Sequence, residues 1–169
     1  EPGLDWWDAG TYGTPGNRRM VRITRKIKQL LESRWNIRGR GLPYHVENGG
    51  VFLKDAAVLA GIGAVGKNNL LVIPGIGPRV RLRALFLDTA LEQTGPVLFD
   101  PCKGCPQPCR SACPQNAFAE GRYSRKRCSK QMAADAAAPQ TISRPQLGRP
   151  PLEVIQYCRA CELACVVGK

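Results

Sequence analysis

Eight cysteines lie between Cys102 and Cys165 of this 169-residue chain, and none precedes them. They fall as C-x2-C-x3-C-x3-C-P over residues 102–114, then a lone Cys128, then C-x2-C-x3-C over residues 158–165. A disulfide framework staples a small secreted fold along its whole length. Cysteines gathered at one end point instead to local ligation.

The bacterial ferredoxin run is C-x2-C-x2-C-x3-C-P, and its fourth cysteine ligates the second cluster when two are present. The first run here differs by one extra residue, in Cys105-Pro106-Gln107-Pro108-Cys109. A short loop can bring three thiolates onto three irons of one cubane. A helix starting at Pro114, where a fixed φ fits and no N–H is needed, would then turn the next cysteine toward a second cubane. By that swap rule one [4Fe-4S] cluster takes Cys102, Cys105, Cys109 and Cys165, and the other takes Cys113, Cys128, Cys158 and Cys161. Two alternatives stand beside it. Zinc could take Cys102, Cys105, Cys158 and Cys161 as a ribbon, leaving four cysteines and the Cys113-Pro114 step without a role. Disulfides are the other. If all eight cysteines are ligands, none is left as a nucleophile. Residues 101–169 are thus expected to form a ferredoxin-like double-cluster domain.

The charge is the second abnormal feature. Twenty-five Lys and Arg against thirteen Asp and Glu give +12, which favours an anionic partner such as nucleic acid or an acidic protein. A 43% hydrophobic content is enough for a core. No apolar run reaches the length of a membrane span, because Pro74, Gly75, Arg79, Arg81 and Arg83 break the best candidate. No leader is visible at Glu1, so a cytoplasmic location is expected.

Residues 1–16 read as an irregular arm whose Trp6 and Trp7 pack on the body or on a partner. Residues 17–35 have helical periodicity, with Asn17 as the cap and Met20, Ile23, Ile27, Leu30 and Leu31 on one face. Arg18, Arg19, Arg22, Arg25, Lys26, Lys28 and Arg34 form the other face, which is either solvated or phosphate-contacting. A short strand is expected at 43–48 and a helix at 51–60 ending at Gly61. Strands at 69–73 and 80–88 would pair as a hairpin around Pro74–Pro78. Residues 93–101 link to the cysteine region, where short helices are expected within 114–119 and 152–165. Residues 133–151 read as a surface wrap.

Gly61-x-Gly63-x-x-Gly66 matches the dinucleotide fingerprint as a string, but that motif follows a strand and opens a helix. Here a helix precedes it and a strand follows. Gly66-Lys67 is followed by Asn68 where a P-loop needs Ser or Thr. The glycines are expected to allow tight turning and close approach of the backbone to something flat or bulky. The single histidine, His45, has no nucleophile-elbow motif beside it and reads as a loop residue.

His45-Val46-Glu47-Asn48, the stretch Leu53–Lys67, Asn68-Asn69-Leu70-Leu71 and the strand ending at Leu87-Asp88 together resemble epoxyqueuosine reductase, an architecture shared with the corrinoid reductive dehalogenases. Cys128 after Arg125-Lys126-Arg127, and the closing cysteine run, fit the same layout. The resemblance covers about residues 44–165. It implies an α+β chain: a partial nitroreductase-like α/β cofactor domain over 17–100, then the double-cluster domain. It implies cobalamin beside one cluster, with Gly61, Gly63, Gly66, Lys67 and Asn68 as cofactor-binding residues. Glu47 would be the catalytic proton donor, where the family normally carries Asp. Electrons would pass through both clusters to the cofactor and reduce a substrate, in that family an epoxide on a tRNA wobble nucleoside. One rival reading is a non-catalytic ferredoxin-like electron-transfer subunit. It would dock an acidic redox partner protein through helix 17–35 within a larger complex. Another rival is a nucleic-acid-binding module with structural clusters.

Overall fold

A computed structural model describes residues 7–10, 13–143 and 150–169. Trp6 and the 144–149 part of the expected surface wrap lie outside the described residues. The N-terminal arm contributes a strand, β1 (Trp7–Asp8), whose Asp8 bridges to Gly13. Helix α1 runs from Pro15 to Trp35 and starts two residues before the sequence suggests. Its cap is Thr14 rather than Asn17: the Thr14 hydroxyl accepts the Asn17 N–H at 2.8 Å, and Pro15 takes the first helical position. Proline there costs no hydrogen bond and supplies the right φ. Asn36 ends the helix in a left-handed conformation.

Strand β2 (Gly39–Gly41) comes before the segment expected to be extended. Residues 43–48 are not a strand. Val46–Asn48 form a 3-10 turn, closed by Gly49 and Gly50 donating to Val46 and His45 carbonyls. A Cβ on Gly50 would stand 2.4 Å from the Pro43 carbonyl oxygen, so the loop can fold back on itself only at glycine. Helix α2 (Leu53–Leu59) ends as expected at Gly61, whose φ is +68°.

The expected hairpin does not form. Strand β3 (Ala64–Val65) pairs antiparallel with β4 (Leu71–Val72), while β5 (Leu85–Leu87) pairs with β2 in the register Gly39↔Leu87. Pro74-Gly75 makes a tight turn closed by the Ile73↔Gly77 bridge, too short to lead into a partner strand.

In the cysteine region, α3 (Pro108–Ser111) starts at Pro108, not Pro114. Residues 114–119 are turns, with Asn116 at positive φ. Helix α4 (Arg125–Ala137) was not expected and runs into the start of the expected surface wrap, and Ser124 caps it. Strands β6 (Gln140–Ile142) and β7 (Leu152–Ile155) follow, then α5 (Ala160–Leu163). Only the end of the 152–165 stretch is therefore helical. β7 lies between β6 and β1 in an antiparallel sheet, which ties the first described residues to the segment just before Cys158. Trp7 packs edge-on against Tyr157, with ring centroids 5.7 Å apart.

The chain is a mixed α and β fold with a thin core. Buried apolar side chains are Ala57, Leu71, Val72, Ala117, Phe118, Val154, Ile155 and two cysteines, Cys109 and Cys165. Among the described residues no helix is long and apolar enough to cross a membrane.

Candidate metal centre

Each cysteine stands at a turn or a short helix end, where the backbone can present sulfur without a long lever. Cys102 and Cys105 sit on the turn that follows Asp100, whose carboxylate accepts the Cys102 N–H at 2.9 Å. The extra residue of the first run is absorbed at Gln107, which takes a left-handed φ of +57° and donates its N–H to Cys105 Sγ at 3.3 Å. Cys109 is buried on α3, and Cys113 follows that helix and accepts the Ala117 N–H at 3.3 Å. Cys128 lies in the first turn of α4. Cys158 precedes α5, Cys161 lies on it and Cys165 follows it. α3 and α5 pack together. All eight thiols are free.

Two of the thiols are raised by burial and by their neighbours. Burial pushes the Cys109 thiol up from its usual range, and Cys165, Cys102 and Cys105 add repulsion, in that order. Burial also pushes Cys161 up to about 11, with Cys158, Cys128, Cys113 and last Cys109 adding to it. Cys109 thus feels three of the cysteines grouped with it by the swap rule, and Cys161 feels the other three of its own group. Tyr123 is pushed up by burial first and then by its hydrogen bond to Cys128. Thiols that repel one another in this way ionise together only around a strongly cationic centre. Four thiolates on one tetrahedral ion would lie about 3.8 Å from each other, each about 2.3 Å from the metal. Among the described residues no group of three or more His, Cys, Asp or Glu side chains is arranged to hold a single metal ion.

The loop Gly61–Asn68 reaches the first group of thiols. The Lys67 N–H donates to Cys102 Sγ at 3.3 Å. A Cβ on Gly66 would meet Asn68 Oδ1 at 2.9 Å and stand 3.7 Å from Cys102 Sγ. Asn68 is buried, and its Oδ1 accepts the Leu70 N–H at 3.2 Å. The close approach expected of the glycines is to the chain itself: Gly61 lies against Thr94 and Gly63 against the Val72 carbonyl. Glu47 is elsewhere, on the exposed 3-10 turn, and its ion-pair partner is His45 Nδ1 at 3.7 Å. The neighbours Tyr44 and Val46 help line a cleft of about 480 Å³, with Phe52, Leu71 and Arg83 among its walls. The basic residues of α1 stay on the surface, with Arg18, Arg19, Arg22, Arg25 and Lys26 all exposed.

Gln115, Gln131 and Asp135 form a chain of hydrogen bonds that ends at the Cys158 N–H, and none of the three reads as a ligand in the sequence. The i,i+4 spacing of Gln131 and Asp135 is the one sequence signal they carry.

No protein-family model matches the chain. A curated epoxyqueuosine reductase of Lactococcus garvieae (strain Lg2) is 30% identical over 151 residues, 87% of this chain and 41% of that protein. This chain resembles epoxyqueuosine reductase. The solved structure of a selenomethionine-labeled epoxyqueuosine reductase superposes with a TM-score of 0.65 at 20% identity, covering 96% of this chain and 41% of that one. Epoxyqueuosine reductase with an epoxyqueuosine-modified tRNA-Tyr stem loop gives 0.62 at 20% identity, over 89% and 38%. The enzyme from Bacillus subtilis, with its catalytic aspartate loop swung out of the active site, also gives 0.62 at 20% identity, over 89% and 38%. At that identity the structures establish likeness of fold, and this chain spans about 41% of the curated reductase.

Proposed function

We propose that this chain is the iron–sulfur part of an oxidoreductase of the epoxyqueuosine reductase type. It would carry two [4Fe-4S] clusters, one on Cys102, Cys105, Cys109 and Cys165 and one on Cys113, Cys128, Cys158 and Cys161. The observation that carries this reading is the gathering of eight free thiols at turns and helix ends, with Cys109 beside Cys165, Cys102 and Cys105, and Cys161 beside Cys158, Cys128 and Cys113. Bound cubanes would supply one-electron transfer through the cysteine half of the chain. The chain's own contribution is to fix the sulfurs, to shield Cys109 and Cys165 from water, and to direct N–H groups of Lys67, Gln107 and Ala117 at sulfur. Such bonds stabilise the added negative charge of a reduced cluster and so help set its potential.

The resemblance implies cobalamin as the electron acceptor beside the Gly61–Asn68 loop. The spaces left by Gly61, Gly63 and Gly66 are occupied by this chain's own atoms. These residues alone do not build a corrin cradle. Glu47 stands where the family carries its acidic residue, on an exposed turn beside the cleft. There it would hand a proton to a substrate entering from solvent. The relative solved with a tRNA stem loop supports tRNA as the substrate class, and the charge of +12 suits a polyanion.

Metal analysis of anaerobically purified protein tests the reading. About eight iron and eight sulfide per chain are expected, with the visible absorption of cubanes. Stoichiometric zinc without sulfide would defeat it.

A further inference from the structure

Behind the second group of thiols runs a file of hydrogen bonds that sulfur ligation itself does not require. Gln115, two residues past Cys113, donates from Nε2 to Gln131 Oε1 at 3.0 Å. Gln131 donates from Nε2 to Asp135 Oδ1 at 2.8 Å. The backbone N–H of Cys158 donates to Asp135 Oδ2 at 2.7 Å, across 23 positions of sequence. The file joins three segments that each bring a cysteine: the turn after Cys113, helix α4 with Cys128, and the approach to α5 with Cys158. Bonds to an ionised acceptor are short and roughly twice as strong as neutral ones.

The two groups of thiols differ electrically as a result. The first receives N–H bonds at Cys102 and Cys105. The second receives one at Cys113 and one from the Tyr123 hydroxyl at Cys128, and it alone has a carboxylate one backbone N–H away, at Cys158. Hydrogen bonds to sulfur favour the electron-rich state of a cluster, and a nearby negative charge opposes it.

We propose that Asp135 is a positioning residue for the cluster on Cys113, Cys128, Cys158 and Cys161. It fixes the Cys158 backbone and holds that cluster at a lower potential than its neighbour. The inference rests on the two-cluster reading above. Gln131 supports the carboxylate, and Gln115 anchors Gln131 to the Cys113 turn.

The test is a redox titration of the anaerobically purified full chain, followed by electron paramagnetic resonance, with iron counted in each sample. Cys158→Ser identifies the signal of the second cluster. Asp135→Asn keeps the size and one acceptor but removes the charge. The expected result is a rise in the second cluster's midpoint alone, so that at fixed potential its reduced fraction grows about tenfold, which is about 59 mV for one electron. Loss of that cluster alone, with iron falling from about eight to about four, also supports the role. Two unchanged midpoints with full iron would overturn it, as would an equal shift of both clusters. If Asp135→Asn does not fold, Gln131→Leu decides, since it cuts the file and leaves the carboxylate. A change confined to the second cluster supports the proposal, and no change or a change in both overturns it. A wild-type chain without cubanes would defeat the two-cluster reading itself and this inference with it.

Discussion

The Lys67 backbone N–H meets Cys102 Sγ at 3.3 Å across 35 positions of sequence. This bond joins the α/β part of the chain to the first group of thiols. It depends on the neighbouring loop lying flat against β4. A Cβ on Gly63 would stand 2.2 Å from the Val72 carbonyl oxygen, a backbone atom that cannot step aside. Gly104 offers a contrast, since it has φ +68° but nothing within 4 Å of its missing Cβ. Gly63→Ala is therefore expected to cost about 3 kcal/mol, the upper end for overpacking. Gly104→Ala should cost only the ~1–2 kcal/mol of a left-handed residue. Urea unfolding of the two variants measures the difference. Iron content should fall in Gly63→Ala and hold in Gly104→Ala.

The two groups of thiols predict a pattern of non-additivity. Cys109 and Cys165 share a neighbourhood, and so do Cys158 and Cys161. Cys109→Ser should remove one cluster, and adding Cys165→Ser should remove little more, because residues acting as one unit do not add. Cys109→Ser with Cys161→Ser should remove both clusters. Iron counted in the single and double variants gives the answer. Equal additive losses from every pair would show that the groups are drawn wrongly.

Helix α1 offers a test of the cap. Thr14 is fully buried, and its hydroxyl accepts the Asn17 N–H at 2.8 Å. Thr14→Ala should cost about 1 kcal/mol, or roughly 2–4 °C in melting temperature for a chain of this size. Asn17→Ala leaves the cap in place and removes a side-chain contact with Arg83, so it should cost less. Thermal unfolding followed by circular dichroism ranks the two. A larger effect at Asn17 would restore it as the cap.

These particulars show what the sequence could and could not reveal. The placement of the cysteines at turns was legible because such spacing is a local property, set by turns of two or three residues. Helix α1 was legible from its period, but its start was not, since Pro15-Gly16 reads as a breaker until Thr14 is seen capping it. The pairing of 69–73 with 80–88 failed because adjacency in sequence is a weak guide when each strand is only two or three residues long. β4 instead takes β3, and β5 returns to β2. Helix α4 carries no apolar stripe to read, and its closing alanines, strong helix formers, merge in the sequence with the Ala- and Pro-rich stretch that reads as a surface wrap. Asp135 was hidden with it.

The exposed arginines of α1 give the tRNA proposal a quantitative form. Each phosphate contact contributes roughly 0.7–0.9 to the slope of log affinity against log salt. Replacing Arg18, Arg22 and Arg25 by Gln should lower the slope for a tRNA stem loop by about two to three and weaken binding without changing sequence preference. Filter binding across a salt series reads both quantities. An unchanged slope would place the RNA on another face.

The thin core would make the proposed clusters structural as well as electronic. Val72 and Val154 are the largest apolar side chains that are wholly buried, and Cys109 and Cys165 are themselves among the few buried groups. Once iron is stripped by a chelator, the eight thiols lose the charge that lets them ionise side by side, and a group that binds only the folded state no longer stabilises it. The metal-free chain should melt well below the loaded one and expose its cysteine half first to proteolysis. In that metal-free state Cys161, raised to about 11 by burial and by Cys158, Cys128 and Cys113, holds its proton more tightly folded than unfolded. The stability this contributes is present below the ordinary thiol value and is lost as pH rises toward 11. Alkylation of Cys161 at pH 8 should accordingly be slow in the folded metal-free chain and fast once it unfolds. Peptide mapping after timed alkylation measures this. Equal rates in the two states would mean that the thiols are no longer gathered once iron is gone.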